Sequence, residues 1–169
     1  MNRRSFSGGG TCIGVIGASD VDASTAAVAR RVGEEIALRG GVLVCGGLSG
    51  VMEAAAEGAR SRDGLTIGIL PGRRAHEANR FISVAVVTGL GEARNAIIAH
   101  TSQAVIAIGG AYGTLSEIAF CLKLGVPVVG LQTWRLGHEQ GDLPDLIRRA
   151  HEPAEAVALA FRLLEGKAL

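Results

Sequence analysis

Two glycine-rich turns carry the residues of this sequence that are best suited to hold an anion. They are Gly46-Gly47-Leu48-Ser49-Gly50 and Gly109-Gly110-Ala111-Tyr112-Gly113-Thr114. Each turn follows an apolar run and precedes a segment of helical periodicity, which is typical of a strand–turn–helix unit. Glycine lets a ligand approach the backbone, and the unpaired N–H groups at a helix start attract negative charge. The pattern indicates phosphate binding, and the alternative is that tight turns need glycine for folding alone.

Known nucleotide-loop patterns limit what these turns can do. Neither turn continues into the Gly-Lys-Ser/Thr of an ATP-binding loop, which disfavours NTP hydrolysis of that type. A third turn, Gly17-Ala18-Ser19-Asp20, lacks the G-x-G-x-x-G spacing of the dinucleotide fingerprint. The chemistry favoured by the remaining pattern is anion binding by backbone N–H groups.

Glu117 follows the second turn and has two interpretations. Thr114-Leu115-Ser116-Glu117 fits a capping box, in which Thr114 caps a helix and Glu117 reaches back to the N–H of the cap residue. A carboxylate directly beside a phosphate is unfavourable because like charges repel. One sugar length away, it could stabilise positive charge that develops at an anomeric carbon. The sequence leaves both interpretations open.

Arg94 lies near the start of a predicted helix, within Gly91-Glu92-Ala93-Arg94-Asn95. A cation there opposes the helix dipole, so Arg94 is either a solvated surface residue or one that grips phosphate or orients a carboxylate. The charged loop over residues 73–80 is best explained as a solvated loop. Tyr112 could either stack on a base or pack against its own turn.

The predicted elements place all these turns at one end of a parallel sheet. Strands are predicted over residues 12–17, 42–45, 65–70, 84–87, 104–108 and 126–131. Helices are predicted over 24–39, 51–60, 92–102, 114–124 and 152–165, with a helical turn over 143–150. The strands are continuous apolar runs, which is typical of a parallel sheet covered on both faces. We expect an α/β fold with a doubly wound, mainly parallel sheet whose ligands bind at the carboxyl ends of the strands.

Composition excludes several other functions. The chain has 169 residues with a net charge of +1, from 17 basic and 16 acidic side chains, so no nucleic-acid partner is expected. No segment approaches the roughly 18 consecutive apolar residues of a membrane helix, so no membrane association is expected. The three cysteines, Cys12, Cys45 and Cys121, lack metal-ligand spacing and are expected to be core residues of a cytoplasmic protein, with no metal site. Residues 1–10 are expected to form a disordered lead before one domain over 11–169.

Read with their neighbours, the two turns resemble the paired motifs of the LONELY GUY proteins, once described as lysine decarboxylases. The matching stretches are Cys45–Ala55 and Ile108–Glu117. The nearer resemblance is to a bacterial branch related to the nucleotide-binding domain of DNA-processing protein A. An algal molybdenum-cofactor carrier is similar to this branch. The pattern of the branch also includes Gly14–Gly17 with Ser19, Gly68–Gly72, Thr88-Gly89 and Ala93–Asn95.

The resemblance implies a single three-layer Rossmann-like domain and a set of site residues. LONELY GUY enzymes hydrolyse the N-glycosidic bond of cytokinin nucleoside monophosphates, and their catalytic glutamate and arginine correspond to Glu117 and Arg94. Ile108 replaces the proline of their motif and Asn95 the lysine of their Arg-Lys pair, which disfavours a cytokinin substrate. The turns and the resemblance together give these candidate ligand-binding residues: Gly17, Ser19, Gly46, Gly47, Gly50, Met52, Gly109, Gly110, Gly113 and Thr114.

Three functions follow as hypotheses. The first is a binding protein for a phosphorylated ligand, either an AMP-like nucleotide or the molybdenum cofactor, that requires no other cofactor. The second is a nucleoside 5′-monophosphate N-glycosidase that uses Arg94 and Glu117. The third, a DNA-processing partner, is disfavoured by the near-neutral charge. The family precedent and the alanine-rich helices favour a homodimer or homotetramer.

Overall fold

A computed structural model describes residues 10–137 and 146–165 of the chain. At its centre is one seven-stranded sheet in which all the strand pairs are parallel. The strands are β1 (Cys12–Gly17), β2 (Val42–Cys45), β3 (Thr66–Leu70), β4 (Val84–Val87), β5 (Ala104–Ile108), β6 (Val128–Leu131) and β7 (Arg148–Arg149). Their spatial order is β4-β3-β2-β1-β5-β6-β7. The expected doubly wound parallel sheet is confirmed.

Helices cover both faces of the sheet. They are α1 (Ala23–Leu38), α2 (Val51–Arg60), α3 (Asn95–Thr101), α4 (Tyr112–Lys123) and α5 (Pro153–Glu165), with 3₁₀ turns at Ala75–Glu77 and Gly91–Arg94. One apolar cluster joins the sheet to α1, α2 and α5, and a second joins it to α3 and α4. Successive strand residues point to opposite faces, so Val15 of β1 packs in the first cluster and Ile16 in the second. Both faces need apolar side chains, which explains the continuous apolar runs.

The order in which the chain adds strands to the sheet reverses at β1. This strand pairs with β2 on one side and with β5 on the other, and Gly17 lies in register with Ile108. The turns after β1 and β5 therefore meet at a topological switch point, where open α/β sheets bind their ligands.

Among the described residues, one predicted helical turn is a strand and one predicted helix is divided. The predicted helical turn over 143–150 is instead, in its described part, the short strand β7, which pairs with β6. Two arginines at a sheet edge carry no apolar signal, so no strand could be predicted there. The predicted helix over 92–102 is divided into the 3₁₀ turn Gly91–Arg94 and α3. The expected disordered lead lies outside the described residues except for Gly10.

No helix within residues 10–137 and 146–165 combines the length and apolar character needed to cross a bilayer.

Candidate functional site

A cleft of about 350 Å³ opens beyond the carboxyl ends of β1, β2 and β5. Its walls come from the turn after β1, the turn into α2, the 3₁₀ turn before α3 and the first turns of α4. The predicted site residues that line it are Gly17, Ser19, Met52, Arg94, Gly113, Thr114 and Glu117. The lining is completed by Ile16, Ala18, Asp20, Leu48, Glu92, Asn95 and Ala111. The switch point thus brings together residues that are far apart in the sequence.

The other predicted glycines shape the walls without lining the cleft. They are Gly46, Gly47, Gly50, Gly109 and Gly110. Gly110 illustrates the role: its φ is +113°, and a Cβ there would lie 2.6 Å from the Cβ of Thr114. Only glycine therefore allows the chain to turn from β5 into α4 at this position.

The start of α4 presents unpaired backbone donors to the cleft. The helix begins at Tyr112, and its N-cap residue, Ala111, has no side chain that could accept a hydrogen bond. The N–H groups of Tyr112, Gly113 and Thr114 have no acceptor in the described part of the chain. Two of these residues, Gly113 and Thr114, line the cleft. Together with the positive end of the helix dipole, these donors suit an anion.

The capping-box interpretation of Thr114 and Glu117 was wrong. Because α4 starts two residues before Thr114, that residue is the third helical residue rather than the cap. Glu117 lies one turn deeper, and its carboxyl group accepts no hydrogen bond from the residues described. The helix start was misplaced from sequence because alanine at the cap position gives no capping signal.

The Glu117 side chain is only 8% exposed and lines the cleft. Burial raises the pKa of its carboxyl group to about 7, with Arg94 opposing the rise and Glu92 adding to it. The carboxyl group therefore exchanges its proton near neutral pH. That property suits a group that donates or accepts a hydrogen bond, or a proton, at the ligand.

Arg94 is the only cation among the described residues that line the cleft. It is 7% exposed, so the interpretation as a solvated surface residue was wrong. Its Nη1 donates a hydrogen bond to the carbonyl oxygen of Ile69 at 3.0 Å, and its buried Nε has no partner. The guanidinium group lies against Gly46, where a Cβ would overlap it. The end of β3 and the first glycine turn thus hold Arg94 in place.

Sequence reasoning missed three polar residues of the cleft as site residues: Asp20, Glu92 and Asn95. Asp20 could have been predicted as a site residue, because it closes the turn after β1 at the ligand-binding end of the sheet. Glu92 and Asn95 flank Arg94, and their placement depends on the 3₁₀ turn that the sequence did not predict. Asn95 is 3% exposed, and its Oδ1 has no hydrogen-bond partner.

An aromatic pair packs on the outer side of the second turn. The Trp134 indole Nε1 donates to the carbonyl oxygen of Ala111 at 3.2 Å, and its ring centroid lies 5.8 Å from that of Tyr112. Tyr112 is 81% exposed and does not line the cleft. In this structure the pair braces the start of α4 from outside.

The cysteines supply neither a nucleophile nor metal ligands to the cleft. Cys45 and Cys121 are buried and free, and burial raises the pKa of their thiols to about 11 and about 12. Both thiols therefore stay protonated at neutral pH and act as small core side chains. Among the described residues, no group of three or more His, Cys, Asp or Glu side chains is arranged to hold a metal ion.

The fold and the cleft together define a class: a Rossmann-like α/β protein with a cleft at the switch point of its sheet. More narrowly, the chain belongs to the SLOG cluster4 family, because a model of that family matches residues 10–159.

Relatives and solved structures support this placement. An uncharacterised protein of Archaeoglobus fulgidus is 52% identical over 120 residues, which cover 71% of this chain and 79% of the relative. The molybdenum cofactor binding protein of Rippkaea orientalis is 36% identical, with a TM-score of 0.84 and coverage of 94% and 99% of the two chains. The molybdenum cofactor carrier protein of Chlamydomonas reinhardtii is 35% identical, with a TM-score of 0.78 and coverage of 92% and 99%. The resemblance to the carrier branch inferred from the glycine turns is confirmed.

Proposed function

We propose that this protein binds a nucleotide or a related phosphorylated ligand in the cleft at the switch point. One observation carries the proposal: the unpaired N–H groups at the start of α4 and the buried cation Arg94 line the same cleft. Oriented backbone donors and a held guanidinium are the usual means of binding a phosphate group.

The ligand's phosphate is assigned to the N–H groups of Gly113 and Thr114. This end of the cleft is favourable because the helix dipole and the donors act together. The carboxyl group of Glu117 lies one helical turn away, so the phosphate avoids direct contact with it. The rest of the ligand extends from there along the cleft, past Arg94 and towards Asn95.

Among phosphorylated ligands, the molybdenum cofactor and an AMP-like nucleotide are the two candidates. The solved relatives from Rippkaea orientalis and Chlamydomonas reinhardtii, which are described as binding or carrying the molybdenum cofactor, support the first. Placement of the cleft at the switch point, where such sheets bind nucleotides, supports the second. Both ligands join a phosphate to a flat heterocycle.

Native mass spectrometry of freshly purified protein, followed by calorimetric titration with AMP and with the cofactor, tests the proposal. The expected result is a co-purified phosphorylated ligand or saturable binding that Arg94→Ala weakens. Arg162→Ala is a suitable control, because Arg162 lies on α5 away from the cleft. Absence of binding across these ligands would contradict the proposal.

Glu117 favours a second candidate function, hydrolysis of the N-glycosidic bond of a nucleoside 5′-monophosphate. A buried carboxyl group with a pKa of about 7 can stabilise a positively charged sugar or activate water. Arg94 would then hold the sugar phosphate. The assay incubates the protein with AMP, GMP, IMP or CMP and measures the released free base by chromatography. Hydrolysis that Glu117→Gln leaves unchanged would remove Glu117 from the mechanism.

We also propose that the chain assembles as a homodimer or homotetramer in the cytoplasm. The alanines of α2 that favoured assembly from sequence pack inside the subunit, so that argument is lost. Support comes instead from the edge strand β4, where Val84, Val86 and Val87 are exposed. The free cysteines fit a reducing compartment. Light scattering of the purified protein measures the assembly, and a monomeric mass would contradict it.

A further inference from the structure

Asn95 is a buried amide whose side chain has no hydrogen-bond partner among the described residues. It is 3% exposed, its Oδ1 is unpartnered, and its Nδ2 donates to none of the described residues. Leaving a buried polar group unpaired costs about 1–3 kcal/mol, so such a group in a folded protein calls for an explanation, such as a catalytic role or a bound water or ion. The adjacent Arg94 also has an unpartnered atom, its Nε. A buried donor and a buried acceptor are thus left open on the same wall of the cleft.

The unpartnered atoms differ in whether their residues line the cleft. The buried Oγ of Ser102 is also unpartnered, but Ser102 lies against Gly14 and does not line the cleft. Asn95 and Arg94 both line it. These two unpartnered atoms therefore belong to residues of the cleft wall, whereas the Oγ of Ser102 does not.

The carboxyl groups of the cleft favour a ligand that carries N–H donors as well as a phosphate. The same cleft carries the carboxyl groups of Glu92 and Glu117, and Glu92 raises the pKa of Glu117, which shows that these two groups interact. These carboxyl groups supply hydrogen-bond acceptors, whereas the first turn of α4 supplies N–H donors. A ligand that satisfies both carries an anion at one end and N–H groups at the other.

Building on the phosphate binding proposed above, we propose that Asn95 is a ligand-contacting residue that selects the ring portion of the ligand. Its carboxamide offers a donor and an acceptor side by side. The complementary partner is a heterocycle with an adjacent donor and acceptor, such as the lactam edge of an oxopurine or a pterin, or the amino edge of adenine. In this arrangement Asn95 forms hydrogen bonds with the heterocycle, and the start of α4 binds the phosphate.

Calorimetric titration with two probes isolates this contact. IMP carries both the phosphate and a lactam edge, whereas ribose 5-phosphate carries the phosphate and no ring. We expect Asn95→Leu to weaken IMP binding about tenfold or more, because loss of a hydrogen bond in a buried site lowers the affinity by about that factor. The affinity for ribose 5-phosphate is expected to stay within about twofold of the wild-type value. Asn95→Asp, which keeps the acceptors and loses the N–H donor, is expected to weaken IMP binding as well.

A stability measurement separates a ligand contact from a structural one. Without ligand, Asn95→Leu is expected to keep or raise the melting temperature, because it removes an unpaired polar group. Asn79 provides the contrast, since its Nδ2 donates to the carbonyl oxygen of Leu48 and its Oδ1 accepts from the N–H of Phe81. Asn79→Leu is expected to lower the melting temperature.

Each remaining outcome overturns the proposal. Equal weakening of IMP and ribose 5-phosphate places Asn95 at the phosphate or sugar, and no weakening of either leaves it a water-binding or structural residue. If the wild-type protein binds neither probe nor any other phosphorylated ligand, the proposed function fails, and this inference fails with it. If Asn95→Leu does not fold by circular dichroism, the Asn95→Asp arm decides.

Discussion

The guanidinium group of Arg94 lies directly against the α-carbon of Gly46, so that a Cβ at residue 46 would overlap Nη1. The two residues are 48 positions apart, yet the position of the cation depends on the missing side chain of the glycine. The same nitrogen, Nη1, donates a hydrogen bond to the carbonyl oxygen of Ile69. The first glycine turn thus contributes to the site by leaving room for Arg94.

We predict that Gly46→Ala reproduces the effect of Arg94→Ala on ligand binding. The added methyl group displaces the guanidinium, and loss of a hydrogen bond from a charged group costs about 1.5–3 kcal/mol, or roughly ten- to a hundredfold in affinity. Titration calorimetry with IMP measures the change. Gly137→Ala is the matched control, because a Cβ at Gly137 meets no atom within 4 Å. Wild-type affinity in Gly46→Ala would show that the position of Arg94 does not matter.

The sequence was sufficient to predict the α/β fold and the end of the sheet that carries the site. Continuous apolar runs indicate strands that are buried on both faces, and glycine turns indicate strand-to-helix connections. Both patterns involve residues that are close in the sequence, so they can be recognised without the fold. Gly17, Ser19, Met52, Arg94, Gly113, Thr114 and Glu117 all reach the cleft. The register that places Gly17 beside Ile108 is what brings the turns together.

Features that depend on tertiary contacts could not be predicted. The burial of Arg94 depends on Gly46 and Ile69, neither of which is near it in the sequence. The start of α4 was misplaced because Ala111 caps the helix without a capping side chain. Strand β7 forms because β6 offers an open edge, and its own two arginines have no strand pattern.

We predict that folding stability decreases as the pH rises through neutrality because of Glu117. Its pKa in the folded protein is about 7, above the ordinary value of 4.5, so between these values the folded protein holds a proton that the unfolded chain has lost. The stabilisation is complete below about pH 4.5 and is lost as the pH rises through 7. The total change is on the order of 3 kcal/mol.

Urea unfolding at several pH values between about 5 and 8 measures this contribution. Glu117→Gln, which carries no charge at any pH, is expected to be the more stable protein at the alkaline end and to show a flatter profile. Glu165→Gln is the control, since Glu165 is an exposed residue at the end of α5. A Glu117→Gln profile parallel to that of the wild type would refute the assignment.

We predict that Ala111→Ser stabilises the protein and weakens ligand binding. Ala111 has the extended backbone of an N-cap residue, with φ −108° and ψ −162°, so a serine hydroxyl there can accept from the N–H of Gly113 or Thr114. A new cap of this kind stabilises a helix by about 1 kcal/mol. The same hydroxyl occupies a donor that the phosphate requires, so the affinity for ribose 5-phosphate should fall several-fold.

Thermal unfolding and titration of the same samples test the two effects of Ala111→Ser together. Ala27→Ser is the matched control, because Ala27 is exposed in the second turn of α1, where serine caps nothing. It should leave ribose 5-phosphate binding unchanged and slightly lower the melting temperature. An Ala111→Ser protein that is stabilised yet binds with wild-type affinity would remove the α4 amides from the phosphate site.

Finally, we predict that phosphate binding at the start of α4 changes the fluorescence of Trp134. This is the only tryptophan of the chain, and its indole N–H donates to the carbonyl oxygen of Ala111, the residue that precedes the proposed phosphate donors. A bound anion polarises this turn and tightens it, so the environment of the indole changes. Ribose 5-phosphate is the suitable titrant because it does not absorb where tryptophan does. The signal should saturate with the dissociation constant found by calorimetry, and Arg94→Ala should shift the midpoint to higher concentration. A fluorescence that stays constant while calorimetry reports saturation would place the phosphate away from this turn.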